Sequence, residues 1–262
     1  MDLGLKGKTA LVLASSKGLG LGIAEALAAE GAHVLLTGRD AKALAAATET
    51  IAARGAGKAE WVVSDLTDPG FVETLAAAAE ARLGRVDILV NNTGGPAPGP
   101  TTTMDEATLA AQAQAMVFRV IALTNRLLPP MLAAGWGRVL TCASSGVVQP
   151  IPNLALSNTL RAALVGWNKT LSAEVAARGV TCNVLIPGRI HTDRVDQLDD
   201  AAAKRTGKTV EEVRAASRAT IPAGRYGKVA EFGAVAAFQR GEPAGYVTGS
   251  VVRCDGGAIK SI

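Results

Sequence analysis

Apolar residues gather in short clusters along the chain, separated by alanine-rich stretches of helical spacing. The clusters run Thr9 to Leu13, His33 to Thr37, Trp61 to Val63, Asp87 to Val90, Val139 to Cys142, Thr181 to Ile186 and Val251 to Cys254. Short continuous apolar runs suit strands buried on both faces, and the helices between them supply the crossovers that parallel strands need. The pattern predicts an α/β fold: a seven-stranded, doubly wound parallel sheet with helices on both faces. No internal repeat is visible.

Two segments interrupt the alternation. Gly94 to Pro100, after the fourth strand, is rich in glycine and proline, and Asp193 to Ala219, after the sixth, is a charged helical stretch. Both follow the carboxyl ends of strands, where open α/β sheets bind ligands. They are the natural substrate loop and, at residues 193–219, the substrate lid.

Composition narrows the picture without redirecting it. A chain of 262 residues fits one α/β domain spanning 1–262, and 48% hydrophobic with 19% charged residues is a globular balance. No stretch reads as both long and apolar enough to cross a bilayer, and Met1 to Lys8 lacks the basic-then-apolar order of a signal peptide. The expectation is a soluble, cytoplasmic protein with no membrane partner. The net charge of +4 is spread along the chain without a basic run, which argues against nucleic acid and suits an anionic cofactor. Cys142, Cys182 and Cys254 fall inside predicted strands without metal-ligand spacing, so buried reduced thiols are expected and no metal.

The first strand runs into Ala14-Ser15-Ser16-Lys17-Gly18-Leu19-Gly20-Leu21-Gly22, a glycine-rich turn that opens a helix. Glycine lets backbone approach a pyrophosphate, and a helix amino end offers free N–H groups and a positive dipole end. Such turns also serve purely structural ends, so the turn alone is a weak signal.

Four further segments give the turn a context, and together they resemble the short-chain dehydrogenase/reductase family. The turn is similar to its Thr-Gly-x-x-x-Gly-x-Gly motif, with Leu13 and Ala14 in place of the first Thr-Gly. Asp65-Leu66, Asn91-Asn92-Thr93-Gly94, Pro187-Gly188 with Thr192, and Tyr246 to Gly249 followed by Asp255-Gly256-Gly257 resemble its remaining signatures in order. The likeness covers essentially the whole chain and lies toward the 3-oxoacyl-carrier-protein reductases. It implies a Rossmann-type fold and cofactor contacts at Ser15, Ser16, Lys17, Gly18, Leu19, Gly20, Asp65, Leu66, Asn92, Thr93, Gly94, Arg161, Pro187, Gly188 and Thr192. Charge sets the cofactor type: Thr37-Gly38-Arg39 ends the second strand without the acid that would bind an NAD ribose, and Arg39 with Lys17 suits a 2′-phosphate. NADP(H) is the expected cofactor.

The resemblance also places four catalytic positions, and here this chain departs from the family. Arg161-Ala162-Ala163-Leu164 is similar to the family's Lys-Ala-Ala-Leu, so its tyrosine position falls on Ser157 and its lysine position on Arg161. Thirteen residues before Ser157 lies Ser144, the serine position, with Ser145 the neighbouring register. Leu128-Pro129-Pro130-Met131 places the asparagine position at Met116, whose plain reading is core packing. A serine hydroxyl is far less acidic than a tyrosine, and an arginine stays protonated, so neither replaces the usual proton relay. His191, beside Thr192, is the local candidate for proton delivery, against the plainer reading of an exposed loop histidine.

These residues imply an NADP(H)-dependent oxidoreductase with a non-standard proton donor, acting on a small carbonyl, enoyl or imine-type substrate. The alternative is an NADP(H)-binding pseudoenzyme or regulatory subunit without redox turnover. The resemblance further implies a homo-oligomer, dimer or tetramer.

Overall fold

The computed structural model describes residues 1–262. Its sheet is formed by β1 (Thr9–Val12), β2 (His33–Gly38), β3 (Lys58–Val63), β4 (Ile88–Asn91), β5 (Gly137–Cys142), β6 (Val180–Pro187) and β7 (Val251–Cys254). All neighbours pair parallel, in the order β3-β2-β1-β4-β5-β6-β7. Every expected strand is present. β3 begins earlier than its apolar run because it is an edge strand, where polar Lys58 and Glu60 are tolerated on a half-exposed ribbon.

Successive residues of a strand face opposite sides, and β1 distributes them between two cores. Ala10 and Val12 join Val34 and Leu36 of β2 under α1 (Gly18–Ala29), α2 (Ala41–Ala53) and α9 (Val229–Arg240). Leu11 and Leu13 join Leu35, Leu89 and Val139 against α3 (Phe71–Leu83), α5 (Arg119–Ala133) and α6 (Ala155–Val175). α4 (Glu106–Ala113) leads into α5 through a π-helical turn at Gln114–Phe118. Within this helical run, Glu106–Ala133, an 18-residue window reaches a mean hydropathy of 1.3, long and apolar enough by length and composition to cross a membrane, which corrects the sequence expectation. In the fold its Leu123, Leu127 and Met131 pack beneath the sheet.

The register aligns the carboxyl ends that matter. Val12 pairs with both Leu36 and Val90, Asn91 with Thr141, and Cys142 with Leu185. The segments after β1, β2, β4, β5 and β6 therefore leave the sheet along one edge, around the point between β1 and β4 where strand order reverses. The stretch expected as one helical lid is two helices, α7 (Asp193–Thr206) and α8 (Val210–Ala219). Gly207, at φ +68°, closes α7, and Thr209 with Glu212 forms a capping box that starts α8.

Candidate active site

The turn after β1 is shaped by groups that do not face the cleft. Ser15 is fully buried; its hydroxyl donates to the Val12 carbonyl at 2.8 Å and accepts from the Thr37 N–H at 2.9 Å. This corrects the expectation that Ser15 touches a cofactor: it pins β1 to β2. Asn92 likewise turns inward, donating to the Leu13 and Ala14 carbonyls at 3.2 and 3.1 Å. A side chain at Gly20 would meet the Ala14 carbonyl oxygen, and would come within 2.8 Å of the Asn92 amide nitrogen. Ala14 holds φ +46°, a left-handed conformation that glycine adopts without strain. The result is a tight turn into α1, whose first turn carries no side-chain cap and no acid, leaving N–H groups free for an anion.

Around this turn the remaining nucleotide-side residues fall into place. Arg39 is exposed at the end of β2 and forms no ion pair, while Ser16 lies beside Gly38. Lys17, expected to share a phosphate with Arg39, instead meets Asp193 of α7 at 3.0 Å. The Asp65 carboxylate accepts from the Thr67 N–H and hydroxyl at 2.8 and 2.9 Å. Those hydrogen bonds, then Arg39 and Arg119, hold its carboxyl below the usual carboxylate range. Arg119, which the sequence reading missed, donates from α5 to the Leu66 carbonyl. At the far side Gly188 runs so close to Asp255 that an added Cβ would lie 2.6 Å from its Cα. Thr192 caps α7, and its methyl reaches the glycine turn at Gly18. The Thr93 hydroxyl is buried and has no partner.

Of the four positions identified as catalytic, Ser144 and Arg161 meet the ends of β4 and β5. Ser144 follows β5 and accepts the Gly146 N–H at 3.1 Å. A side chain at Gly146 would strike the Asn158 amide oxygen and would reach 3.4 Å from the Ser144 hydroxyl, so Asn158 walls this corner. Asn158 also donates to the Ile151 carbonyl at 2.9 Å, holding the loop that precedes α6. Ser157 and Arg161 sit one turn apart on the same face of α6, both buried. No protein group bonds the Ser157 hydroxyl, whereas the Arg161 guanidinium donates to the carbonyls of Cys142 and Thr93 at 2.9 and 3.1 Å. Met116 lies in the π-helical turn and packs with Val120, Leu160 and Leu164. Burial pushes the Cys142 thiol up to about 12, which leaves it unreactive at neutral pH.

His191 occupies the rim. Its ring faces Asp196 at 3.4 Å, and its side chain is 65% exposed. Behind it Asp199, in the charged stretch expected as the lid, is fully buried, holding Arg189 at 2.7 Å and the Tyr226 hydroxyl at 3.0 Å. Those contacts tie α7 to the turn before α9, and they keep Tyr226 turned to the lid. A surface depression of about 390 Å³ lies instead along β3, lined by Trp61 and Arg82 and by none of these groups. Shape alone is a poor guide here, because the cleft is defined by donors and strand ends.

Comparison with known proteins agrees with this fold. A family described as enoyl-(acyl carrier protein) reductase matches residues 13–258. The 3-oxoacyl-[acyl-carrier-protein] reductase FabG of Escherichia coli is 33% identical over 257 residues, covering 97% of this chain and 98% of that protein. The solved structure of L-sorbose reductase from Gluconobacter frateurii, complexed with NADPH and L-sorbose, superposes with a TM-score of 0.94 at 29% identity, covering both chains completely (100%). YwfH, an NADPH-dependent reductase involved in bacilysin biosynthesis, gives a TM-score of 0.92 at 28% identity over 97% of this chain and 99% of its own.

Proposed function

The chain belongs to the short-chain dehydrogenase/reductase family, and from that premise we propose that it is an NADP(H)-dependent reductase of a small carbonyl, enoyl or imine-type substrate, working with a non-standard proton donor. The observation that carries the reading is the unpaired Arg39 at the end of β2, beside a glycine turn whose helix N–H groups are uncapped, together with a Ser157 hydroxyl that no protein group bonds. The residues present fit the cofactor. Gly18, Leu19 and Gly20 would receive the pyrophosphate, Arg39 the 2′-phosphate, Thr93 and Thr192 the nicotinamide end. Bound there, NADPH would supply a hydride to the acceptor carbon and leave as NADP+, while one proton from solvent completes the product.

The protein's own part is orientation. Ser144 and Ser157 hold the acceptor heteroatom by hydrogen bonds, and Arg161 fixes the walls between which it lies. His191, at the solvent edge, passes the proton inward through water; an iminium acceptor needs none. Residues 193–219 act as the lid. A homo-oligomer, dimer or tetramer, is supported by exposed Phe118 on the helical layer after β4, and a cytoplasmic location is part of the same proposal.

The test is a calorimetric titration with NADPH and NADH, then incubation with carbonyl, enoyl and imine panels. Preferential NADPH binding with oxidation by one class supports the reading. Tight binding with no oxidation above background leaves a cofactor-binding protein without turnover. Gain of carbonyl reductase activity only in a Ser157→Tyr, Arg161→Lys double variant would place carbonyls outside the natural range.

A further inference from the structure

Two arginines clasp the loop after β4 from opposite sides. From α6, Arg161 donates to the Thr93 carbonyl at 3.1 Å and lies 3.5 Å from that of Gly94. From the first turn of α7, Arg194 donates to the Pro96 carbonyl at 2.8 Å. Its guanidinium lies against Gly95, where an added Cβ would stand 3.3 Å from Nη2 and 3.5 Å from Nε. Four consecutive residues at the mouth of the cleft are thus held between two cations.

No carboxylate answers either charge. The acids nearest Arg194 on its own helix are engaged elsewhere, Asp193 with Lys17 at 3.0 Å and Asp196 with Arg214 at 2.6 Å. Arg194 uses one donor of the five a guanidinium carries, so a planar fork remains open. We propose that the substrate is an oxo acid or unsaturated acid, and that Arg194, backed by Arg161, binds its carboxylate close to the reducible group. This rests on the cleft being a hydride-transfer site. Burial, with Arg194 adding to it, holds Arg161 below the ordinary arginine range, an electrostatic cost that an incoming anion relieves. A low-dielectric cleft with excess positive charge also concentrates anionic ligands.

The probes are acetoacetate, 2-oxobutanoate and phenylpyruvate, each beside its methyl ester, titrated calorimetrically into protein saturated with NADP+. For at least one pair the acid is expected to bind about tenfold or more tightly than its ester, as loss of a charge-assisted bond predicts. Arg194→Gln abolishes that preference and Arg194→Lys keeps part of it. In turnover the same substitution raises KM for the acid with little change in kcat. Acids and esters binding alike in every pair would overturn the proposal. So would Arg194→Gln weakening NADP+ by a similar factor while sparing the acid preference, which would assign Arg194 to the cofactor's phosphates. If neither these probes nor the carbonyl, enoyl and imine panels oxidise NADPH, the reductase reading fails on its own while the binding preference is still scored.

Discussion

Arg161 Nη1 lies 2.9 Å from the Cys142 carbonyl oxygen, so the side chain at the family's lysine position is engaged with the end of β5. Its second nitrogen holds Thr93 after β4, and together these bonds fix the spacing of two strand ends that border the cleft. An ammonium has no fork and cannot span both carbonyls. Arg161→Lys should lower stability by about 2 kcal/mol, the scale of a charge-assisted bond in a buried setting. Thermal unfolding should show a midpoint roughly 4–8 °C lower; an unchanged midpoint would mean the two bonds are dispensable.

Arg39 carries the choice of cofactor. Without it a 2′-phosphate loses its planar partner, so Arg39→Ala should weaken NADPH binding roughly 10–100-fold and leave NADH almost unaffected. Arg39→Asp should reverse the preference, since a carboxylate accepts ribose hydroxyls and repels phosphate. Fluorescence titration with both nucleotides reads each outcome.

Arg240 contributes the reverse of stabilisation. It is fully buried at the end of α9, none of its three guanidinium nitrogens has a partner, and burial lowers its pKa to about 9. Replacing an uncompensated buried charge by an apolar side chain of similar length removes that cost. Arg240→Met should raise stability by roughly 1–4 kcal/mol, read as a higher denaturation midpoint at unchanged m-value.

Acid sensitivity should be traceable to Glu231. Its carboxylate binds the Arg225 guanidinium at 2.6 and 2.9 Å and accepts the Lys228 N–H at 2.7 Å, anchoring the turn before α9. Arg225 first, then the Lys228 amide, lower its pKa from 4.5 to about 2. A depressed carboxylate contributes stability above pH 4.5 that is lost as pH falls from 4.5 toward 2. Glu231→Gln should flatten the thermal midpoint against pH in that window; a slope equal to the parent's would assign the loss to other carboxylates.

The sheet and the glycine turn into α1 were legible in the sequence because each is written locally. Apolar runs such as Val139 to Cys142 and the glycines at 18 and 20 report their own surroundings. What the sequence concealed depends on contacts between distant residues. Ser15 reads as a cofactor contact until the fold gives its hydroxyl to Val12 and Thr37. Lys17 and Asp193 are 176 positions apart, so nothing near either residue announces their pairing. Arg194 falls in the charged stretch after β6, and only the closeness of its helix to the loop at Pro96 brings it to the cleft. The burial of Asp199 is hidden for a related reason: a charged helical face is solvated unless another element covers it, and the turn bearing Tyr226 does.

NADPH should pass its hydride to the acceptor carbon of this protein's substrate without a tyrosine acid. Incubating the protein with NADPH deuterated at C4 and the acceptor panel, then measuring product mass, tests it directly. With both C4 hydrogens replaced by deuterium, a product should carry deuterium bound to carbon in equal amount to the NADP+ formed. Tight NADPH binding with no deuterium in any acceptor would contradict it.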